Sequence, residues 1–216
     1  MKVFIVGISG GVGYRVAQRL KESGHTVTGM VRKAAQADQL AREGIMVAVA
    51  DLVQDSVETL AASMVGNDII LFTAGAGDGD FAATTAVDGD GPAKAAAAAK
   101  IAGVQRFYLV SVFPEAWRER RMDEDFEHYL VEKKKAETQL VLADLDWVIV
   151  RPAALTNDPG TGTVDLGLAK VHHEIPRDDV ANTLVALMEE PGIRRVILEV
   201  TGGSTPIRQA VAALKA

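Results

Sequence analysis

The chain has 216 residues, which fits one large domain or two small ones, and its 48% of hydrophobic residues suffices for a sizeable buried core. A net charge of -6 at pH 7 disfavours nucleic acid as a partner, because phosphate-binding surfaces usually carry a basic excess. The absence of cysteine excludes thiol nucleophiles, disulfides and cysteine-based metal sites.

Short apolar runs alternate with longer amphipathic stretches up to residue 151. We predict strands at 3–6, 26–31, 45–50, 69–72, 106–110 and 147–150. The helices between them are predicted at 12–21, 34–42, 56–64, 92–102 and about 126–143. Continuously apolar strands that alternate with helices are typical of a parallel sheet covered on both faces.

The section after residue 151 is less regular. We predict a strand at 163–168, a helix at 179–189, a strand at 196–200 and a last helix. The fold class is therefore predicted to be α/β, with a Rossmann-type doubly wound parallel sheet in a single domain, residues 1–216. Its core would be residues 1–151, and residues 152–216 would form a small C-terminal lobe on the substrate side.

A glycine-rich turn, Gly7-x-x-Gly10-x-x-Gly13, follows the first strand and opens the first helix. Gly7 permits a sharp turn, Gly10 lets the backbone approach a pyrophosphate, and Gly13 lets helix and strand pack closely. The unpaired N–H groups and the dipole at the helix N-terminus favour an anion there. The turn is predicted to bind a dinucleotide through Gly7, Ser9, Gly10, Gly11, Val12 and Gly13.

The second strand ends without the acidic residue that usually holds the ribose 2′-hydroxyl of NAD. Arg32 stands there instead, and a guanidinium is a planar fork of donors suited to a 2′-phosphate. We therefore predict NADP(H) in preference to NAD(H); the alternative is that Arg32 and Lys33 only begin a solvated helix. Further predicted cofactor contacts follow the third and fourth strands: Asp51 and Leu52 near the adenine, and Thr73, Ala74 and Gly75 near the ribose and nicotinamide.

These residues together resemble the short-chain dehydrogenase/reductase superfamily. The likeness is greatest to its small atypical NAD(P)H-binding members, a group that also holds flavin and biliverdin-IXβ reductases and nitrogen metabolite repression regulators. The resemblance covers nearly the whole chain. Besides the glycine turn it rests on Asp51-Leu52, Gly103-Val104-x-Arg106-Phe107, Val110-Ser111, Arg151-Pro152 and Ile175-Pro176-Arg177-Asp178-Asp179-Val180-Ala181.

The resemblance implies a catalytic couple at Tyr129 and Lys133, which have the superfamily's Tyr-x-x-x-Lys spacing and share one helix face. In the family scheme the tyrosine donates or accepts the substrate proton, the lysine ammonium lowers the tyrosine pKa, and a hydride moves to or from the nicotinamide. Lys133 would also contact the cofactor. The alternative is a tyrosine packed on the core beside a solvated lysine.

The third catalytic residue of the family scheme is a serine that polarises the substrate oxygen, and Ser111 follows the fifth strand. Relatives often have two or three consecutive Ser or Thr residues there, whereas this chain has Ser111-Val112-Phe113. If the catalytic position falls one or two residues later, the triad is broken and Ser111 is a structural cap.

No metal site is predicted, because adjacent His172 and His173 in a strand would point to opposite faces. Asp178 and Asp179 are predicted to cap a helix that begins near Val180, with a substrate role as the alternative. The charged stretch 115–128 is either a lid over the nicotinamide or a solvated loop and helix start.

The function expected from this pattern is an NADP(H)-dependent oxidoreductase that acts on a small carbonyl, sugar-nucleotide-like or flavin-like substrate. The alternatives are an NADP(H)-sensing protein without chemistry and an epimerase-like enzyme with tightly held cofactor. No run approaches the roughly 20 apolar residues of a membrane span, and the N-terminus does not resemble a signal peptide. We therefore expect a cytoplasmic protein with a small-molecule substrate, no membrane partner, and a monomeric or homodimeric state.

Overall fold

Six of the predicted apolar runs form adjacent parallel strands at the centre of the fold. The computed structural model describes residues 1–77, 80–113 and 120–215. These six strands are β1 (Lys2–Val6), β2 (Thr26–Val31), β3 (Met46–Val49), β4 (Ile69–Phe72), β5 (Arg106–Val110) and β6 (Asp146–Pro152). They lie in the order β3-β2-β1-β4-β5-β6. The order reverses between β1 and β4, and open α/β sheets bind ligands in the crevice at that point.

Helices cover both faces of this sheet, as the continuous apolar strands predict. One hydrophobic cluster joins the sheet to α1 (Gly11–Glu22), α2 (Ala34–Arg42), α7 (Arg177–Met188) and α8 (Ile207–Ala212). A second cluster, on the other face, joins it to α3 (Val57–Met64), α5 (Asp90–Ile101) and α6 (Glu124–Val141). The α/β, doubly wound Rossmann-type prediction is confirmed.

The section after residue 152 lengthens the same sheet. Its strands are β7 (Ala154–Thr156), β8 (Thr163–Gly167), β9 (Glu174–Pro176), β10 (Val196–Gly202) and β11 (Thr205–Pro206). β10 runs parallel to β6, β8 runs antiparallel to β10, and β11 pairs with β8, so that nine strands of the described residues form one sheet. β7 and β9 form a separate small parallel pair, and α7 begins directly after β9.

One helical segment is absent from the sequence prediction. A short helix α4 (Phe81–Thr84) leads through a π-helix (Thr85–Gly89) into α5, which therefore begins before the predicted residue 92. The carboxylate of Asp80 starts α4 by accepting the N–H of Ala83 at 2.8 Å. Across the described residues, none of the helices combines the length and the apolar character needed to cross a membrane.

Candidate functional site

The glycine turn joins β1 to α1 with the backbone exposed to the crevice. Gly7 has a φ of +93°, and a Cβ there would lie 2.5 Å from the backbone nitrogen of Ala74. A Cβ on Gly13 would lie 2.6 Å from Thr73 Oγ1. The N-cap Gly10 offers no side-chain cap, and the first turn of α1 contains no acidic residue. The N–H groups of that turn are therefore left for an anionic ligand.

A first cleft of about 330 Å³ lies at the carboxyl ends of β1 and β4. Its walls come from the glycine turn, the end of β2, the turn after β3 and the segment after β4. The predicted cofactor residues that line it are Gly7, Ser9, Gly10, Arg32, Asp51, Leu52, Thr73, Ala74 and Gly75.

The mouth of this first cleft is polar. Arg32 is exposed after β2, and Gln36 of α2 lies on the same wall with its Nε2 3.5 Å from Ser9 Oγ. Asp51 also has a structural task, because its Oδ1 accepts the N–H groups of Val53 at 2.8 Å and Gln54 at 3.1 Å. Asp51, which is predicted to lie near the adenine, thus both lines the cleft and stabilises the turn after β3.

A second cleft of about 770 Å³ shares Thr73, Ala74, Gly75 and Ala76 with the first, so that the two form one continuous groove. Apart from Gly13, which lines neither cleft, the second cleft brings the remaining predicted residues together at the other end. They are Gly11, Val12, Ser111, Tyr129 and Lys133.

The predicted catalytic side chains lie around one corner of this second cleft. Lys133 is 3% exposed, and its Nζ donates to the carbonyl oxygen of Val110 at 3.0 Å and lies 5.9 Å from the centre of the Tyr129 ring. Ser111 is 5% exposed, and its Oγ has no hydrogen-bond partner among the described residues. Phe113 packs edge-on against the His172 ring instead of lining the cleft. Of the serine position and its two alternatives, Ser111 is therefore the one that the structure brings to Tyr129 and Lys133.

Asp88, which the sequence analysis missed, is the fourth side chain of this corner. It is 2% exposed, and its Oδ1 lies 3.7 Å from Lys133 Nζ. Its Oδ2 accepts the N–H of Ala76 at 2.9 Å. Asp88 belongs to the unpredicted π-helix, and its local sequence, Val87-Asp88-Gly89, contains no signal that separates it from an exposed turn.

The position of Asp88 is fixed from α6. The hydroxyl of Thr85, in the same π-helix, donates a hydrogen bond to Glu132 Oε1 at 3.1 Å, and its Oγ1 lies 3.0 Å from His128 Nε2. Glu132 is itself 7% exposed. The π-helix and α6 are thereby joined by buried polar contacts, which hold Asp88 against Lys133.

The electrostatics of the corner differ from the family scheme. Burial lowers the pKa of Lys133, while the nearby carboxylates of Asp88 and Glu137 act in the opposite direction. Burial also raises the pKa of Tyr129 above its ordinary value, and Asp88 raises it further. The family scheme uses a lysine that lowers the tyrosine pKa, whereas here burial and the Asp88 carboxylate both raise the pKa of Tyr129. The Tyr129 hydroxyl stays protonated at neutral pH.

The start of α7 differs from the prediction as well. The helix begins at Arg177 with Pro176 as its N-cap, so Asp178 and Asp179 lie in its first turn and do not cap a later start. Asp179 is 0% exposed and accepts the N–H of Thr161 at 2.8 Å. Acidic residues in a first helical turn are favoured because the exposed N–H groups there carry partial positive charge.

Two minor predictions are only partly covered by the described residues. Of the charged stretch 115–128, residues 115–119 lie outside them, and the remainder contains the start of α6, where Asp123 accepts the N–H of Phe126 at 2.7 Å. Over the described ranges, the side chains of His, Asp and Glu form no group of three or more that would hold a metal ion.

Comparisons with known proteins match the whole chain. The sequence matches the model of the NAD(P)H-binding family over residues 7–191. The uncharacterized sugar epimerase YhfK of Bacillus subtilis is 38% identical, and the match covers 98% of this chain and 99% of that protein. The structure of a putative NAD-dependent epimerase/dehydratase from Bacillus halodurans is similar with a TM-score of 0.90 and 30% identity, covering 99% of both chains. The oxidoreductase YlbE of Lactococcus lactis has a TM-score of 0.88 and 28% identity, covering 100% of this chain and 97% of that one.

Proposed function

This chain belongs to the NAD(P)H-binding family, in the atypical short-chain dehydrogenase/reductase group, and from that premise we propose that it is an NADP(H)-dependent oxidoreductase. The observation that carries the proposal is the continuous groove, which starts at the glycine turn and ends at Ser111, Tyr129 and Lys133. A nucleotide site and a proton-donating side chain are the two parts that such a reaction requires.

The residues present fit a bound dinucleotide. The turn at Gly7 and Gly13 has no room for side chains, and the first turn of α1 offers uncapped N–H groups for the pyrophosphate. Arg32, at the mouth of the first cleft, would hold a 2′-phosphate, which is the basis for preferring NADP(H) over NAD(H). Bound NADPH would supply the hydride that a reduction needs.

Tyr129 and Ser111 would act on the substrate oxygen. Tyr129 is protonated at neutral pH and can donate its proton to an oxygen that gains negative charge, although its raised pKa makes it a weaker acid than an ordinary tyrosine. The buried Ser111 Oγ has no partner among the described residues and is available to donate a hydrogen bond to the same oxygen. The large second cleft suits a small carbonyl, sugar-nucleotide-like or flavin-like substrate.

The cofactor is tested by titrating the purified protein with NADPH and with NADH. We expect NADPH to bind more tightly, and Arg32→Ala to remove most of the difference. Lys33→Ala is the matched control, because Lys33 is a neighbouring exposed cation that does not line the first cleft. Binding of neither nucleotide to the wild type would refute the proposal, and an equal effect of both substitutions would refute the role of Arg32.

The reaction is tested next, by following NADPH oxidation with a panel of carbonyl, flavin and sugar-nucleotide substrates. We expect Tyr129→Phe to lower the turnover of any accepted substrate by about 10²- to 10⁴-fold, the usual contribution of a positioned acid. Unchanged turnover would remove Tyr129 from the mechanism.

A second candidate is a protein that senses NADP(H) without chemistry. The observation in its favour is that Asp88 lies against Lys133 and that burial, with Asp88, raises the pKa of Tyr129, whereas the family scheme uses a lysine that activates the tyrosine. Tight NADPH binding together with no turnover across the panel would support the sensor.

A third candidate is an epimerase-like enzyme that retains its cofactor. It is favoured by the Bacillus subtilis relative, which is 38% identical and is named a sugar epimerase. Nucleotide that remains bound through purification, and is released by denaturation, would support this candidate over the other two.

A further inference from the structure

Arg177 lies against the glycine turn although it is distant from it in sequence. It is the first residue of α7, and its side chain crosses the first residue of α1. A Cβ on Gly11 would lie 3.0 Å from Arg177 Cδ and 3.1 Å from its Nε. Arg177 lines the second cleft together with Gly11 and Val12. Its guanidinium is therefore next to the N–H groups that would receive a pyrophosphate.

The side chain of Arg177 is oriented by neutral groups. Its Nη1 donates to the carbonyl oxygen of Leu155 at 3.3 Å and to Asn157 Oδ1 at 3.0 Å. The helix start that carries it is anchored separately, since the buried carboxylate of Asp179 accepts the N–H groups of Thr161 and Gly162. These contacts fix the direction of the guanidinium and leave its charge uncompensated.

The neighbouring arginines are treated differently. Arg15 and Arg19 of α1 both pair with Asp178, at 3.5 Å and 3.4 Å. Within residues 1–77, 80–113 and 120–215, no carboxylate lies within ion-pair distance of Arg177.

The location makes an uncompensated cation unfavourable unless an anion joins it. Arg177 lies beside the first turn of α1, whose N-terminus carries partial positive charge and whose first turn contains no acidic residue. Arg177 is also only partly exposed, so solvent compensates its charge less than it would on the open surface. The buried and unpartnered Oγ of Ser111 is a second sign that the same cleft receives a polar ligand.

We propose that Arg177 binds the phosphate groups of the dinucleotide at the first turn of α1, an assignment that rests on the proposed cofactor. A guanidinium forms two parallel hydrogen bonds to phosphate oxygens, which adds both affinity and orientation. Arg32 and Arg177 would then hold opposite ends of the charged part of NADPH.

The test measures the dissociation constant of NADPH by calorimetry for the wild type, Arg177→Gln, Arg177→Lys and Arg19→Gln. Loss of a hydrogen bond to a charged group is worth about 1.5–3 kcal/mol, so Arg177→Gln should bind about 10- to 100-fold more weakly. Arg177→Lys keeps the charge and should bind with intermediate affinity. Arg19→Gln removes an arginine that pairs with Asp178 and does not line the groove, so the affinity of this variant for NADPH should stay within about twofold of the wild type.

The outcomes separate this inference from the proposed function. If the wild type binds NADPH and Arg177→Gln binds equally well, the cofactor proposal stands and the role of Arg177 is overturned. Equal weakening by the Gln and Lys substitutions would still support the proposal and would assign the effect to the two parallel hydrogen bonds of the guanidinium instead of its charge alone. If the wild type binds neither NADPH nor NADH, both proposals fall together. Melting temperatures measured alongside verify that each variant is folded.

Discussion

Replacement of Asp88 by Asn should destabilise the protein by leaving a buried cation without its nearest counter-charge. The Asp88 and Lys133 side chains are 2% and 4% exposed, and Asp88 Oδ1 lies 3.7 Å from Lys133 Nζ. Asn has the same shape, and its Oδ1 can still accept the N–H of Ala76 that Asp88 accepts now. The substitution therefore removes the charge and leaves the packing nearly unchanged.

The size of the effect follows from the distance and the burial. Two unit charges at this separation attract by about 4–5 kcal/mol at an effective dielectric constant near 20. Removal of one partner from a buried ion pair costs about 3–5 kcal/mol, because the other charge stays buried. We expect about 3 kcal/mol for Asp88→Asn, since Glu137 and the Val110 carbonyl still stabilise Lys133. In a protein of this size that corresponds to a melting temperature lower by about 6–12 °C.

The effect should depend on pH in a defined direction. Burial already lowers the pKa of Lys133 in the folded state, and loss of Asp88 would lower it further. Between the folded and unfolded pKa values the unfolded chain binds more protons, so stability rises with pH. The deficit of Asp88→Asn should accordingly be larger at pH 7 than at pH 9.5.

Urea denaturation at the two pH values measures both quantities. The matched control is the double variant Asp88→Asn/Lys133→Met, which removes both charges and should recover most of the lost stability. A single variant as stable as the wild type would refute the reasoning. So would a double variant that is no more stable than the single one, because the loss could then not arise from an uncompensated Lys133.

Two further predictions concern the turn and the proton donor. Gly7→Ala should abolish measurable NADPH binding, because its Cβ would overlap the Ala74 backbone. The control Gly66→Ala has a φ of +80° and nothing within 4 Å of its Cβ, so it should lower the free energy of unfolding by only about 1–2 kcal/mol and leave the dissociation constant unchanged. Equal effects of the two substitutions in parallel calorimetry and denaturation would contradict a role of close approach at the turn. Because the pKa of Tyr129 is raised above its ordinary value, kcat/KM for reduction should show no alkaline decline between pH 7 and 10. A decline with a midpoint below pH 9 would mean that Tyr129 is not the donor or that its surroundings differ from those described.

The start of the chain is predictable because each step is encoded locally. The run 3–6 is apolar and becomes β1, whose residues from Val3 to Val6 are fully buried. Gly7 and Gly13 stand where the backbone needs a positive φ or a close approach. The strand, the glycine spacing and the helix are adjacent in the sequence, so pattern and structure agree here, although Thr73 and Ala74 supply the close contacts to the turn.

The other end of the groove depends on contacts that no local pattern contains. The sequence Val-Asp-Gly-Asp-Gly at 87–91 favours a turn, since Asp and Gly are common turn residues. It is helical here, next to Thr85, which contacts His128 and Glu132 of the packed helix α6. The Tyr129 and Lys133 spacing correctly indicates a shared helix face, but the spacing contains no information about the carboxylate that another element brings to that face.

Two cations that line the second cleft, Lys133 and Arg177, suggest how binding and chemistry would be divided in this protein. Lys133 is compensated by Asp88, whereas Arg177 is held by a carbonyl and an amide. A compensated cation adds little net attraction for an incoming anion, and an uncompensated one adds much more, because its charge is not already balanced. Nucleotide affinity should therefore reside in the arginines and the glycine turn, and proton transfer in the corner around Tyr129. Substitutions of the arginines or of the glycine turn should change the dissociation constant of NADPH. Substitutions around Tyr129 should change the turnover of a reductase, whereas a protein that only senses the nucleotide would show no turnover to change.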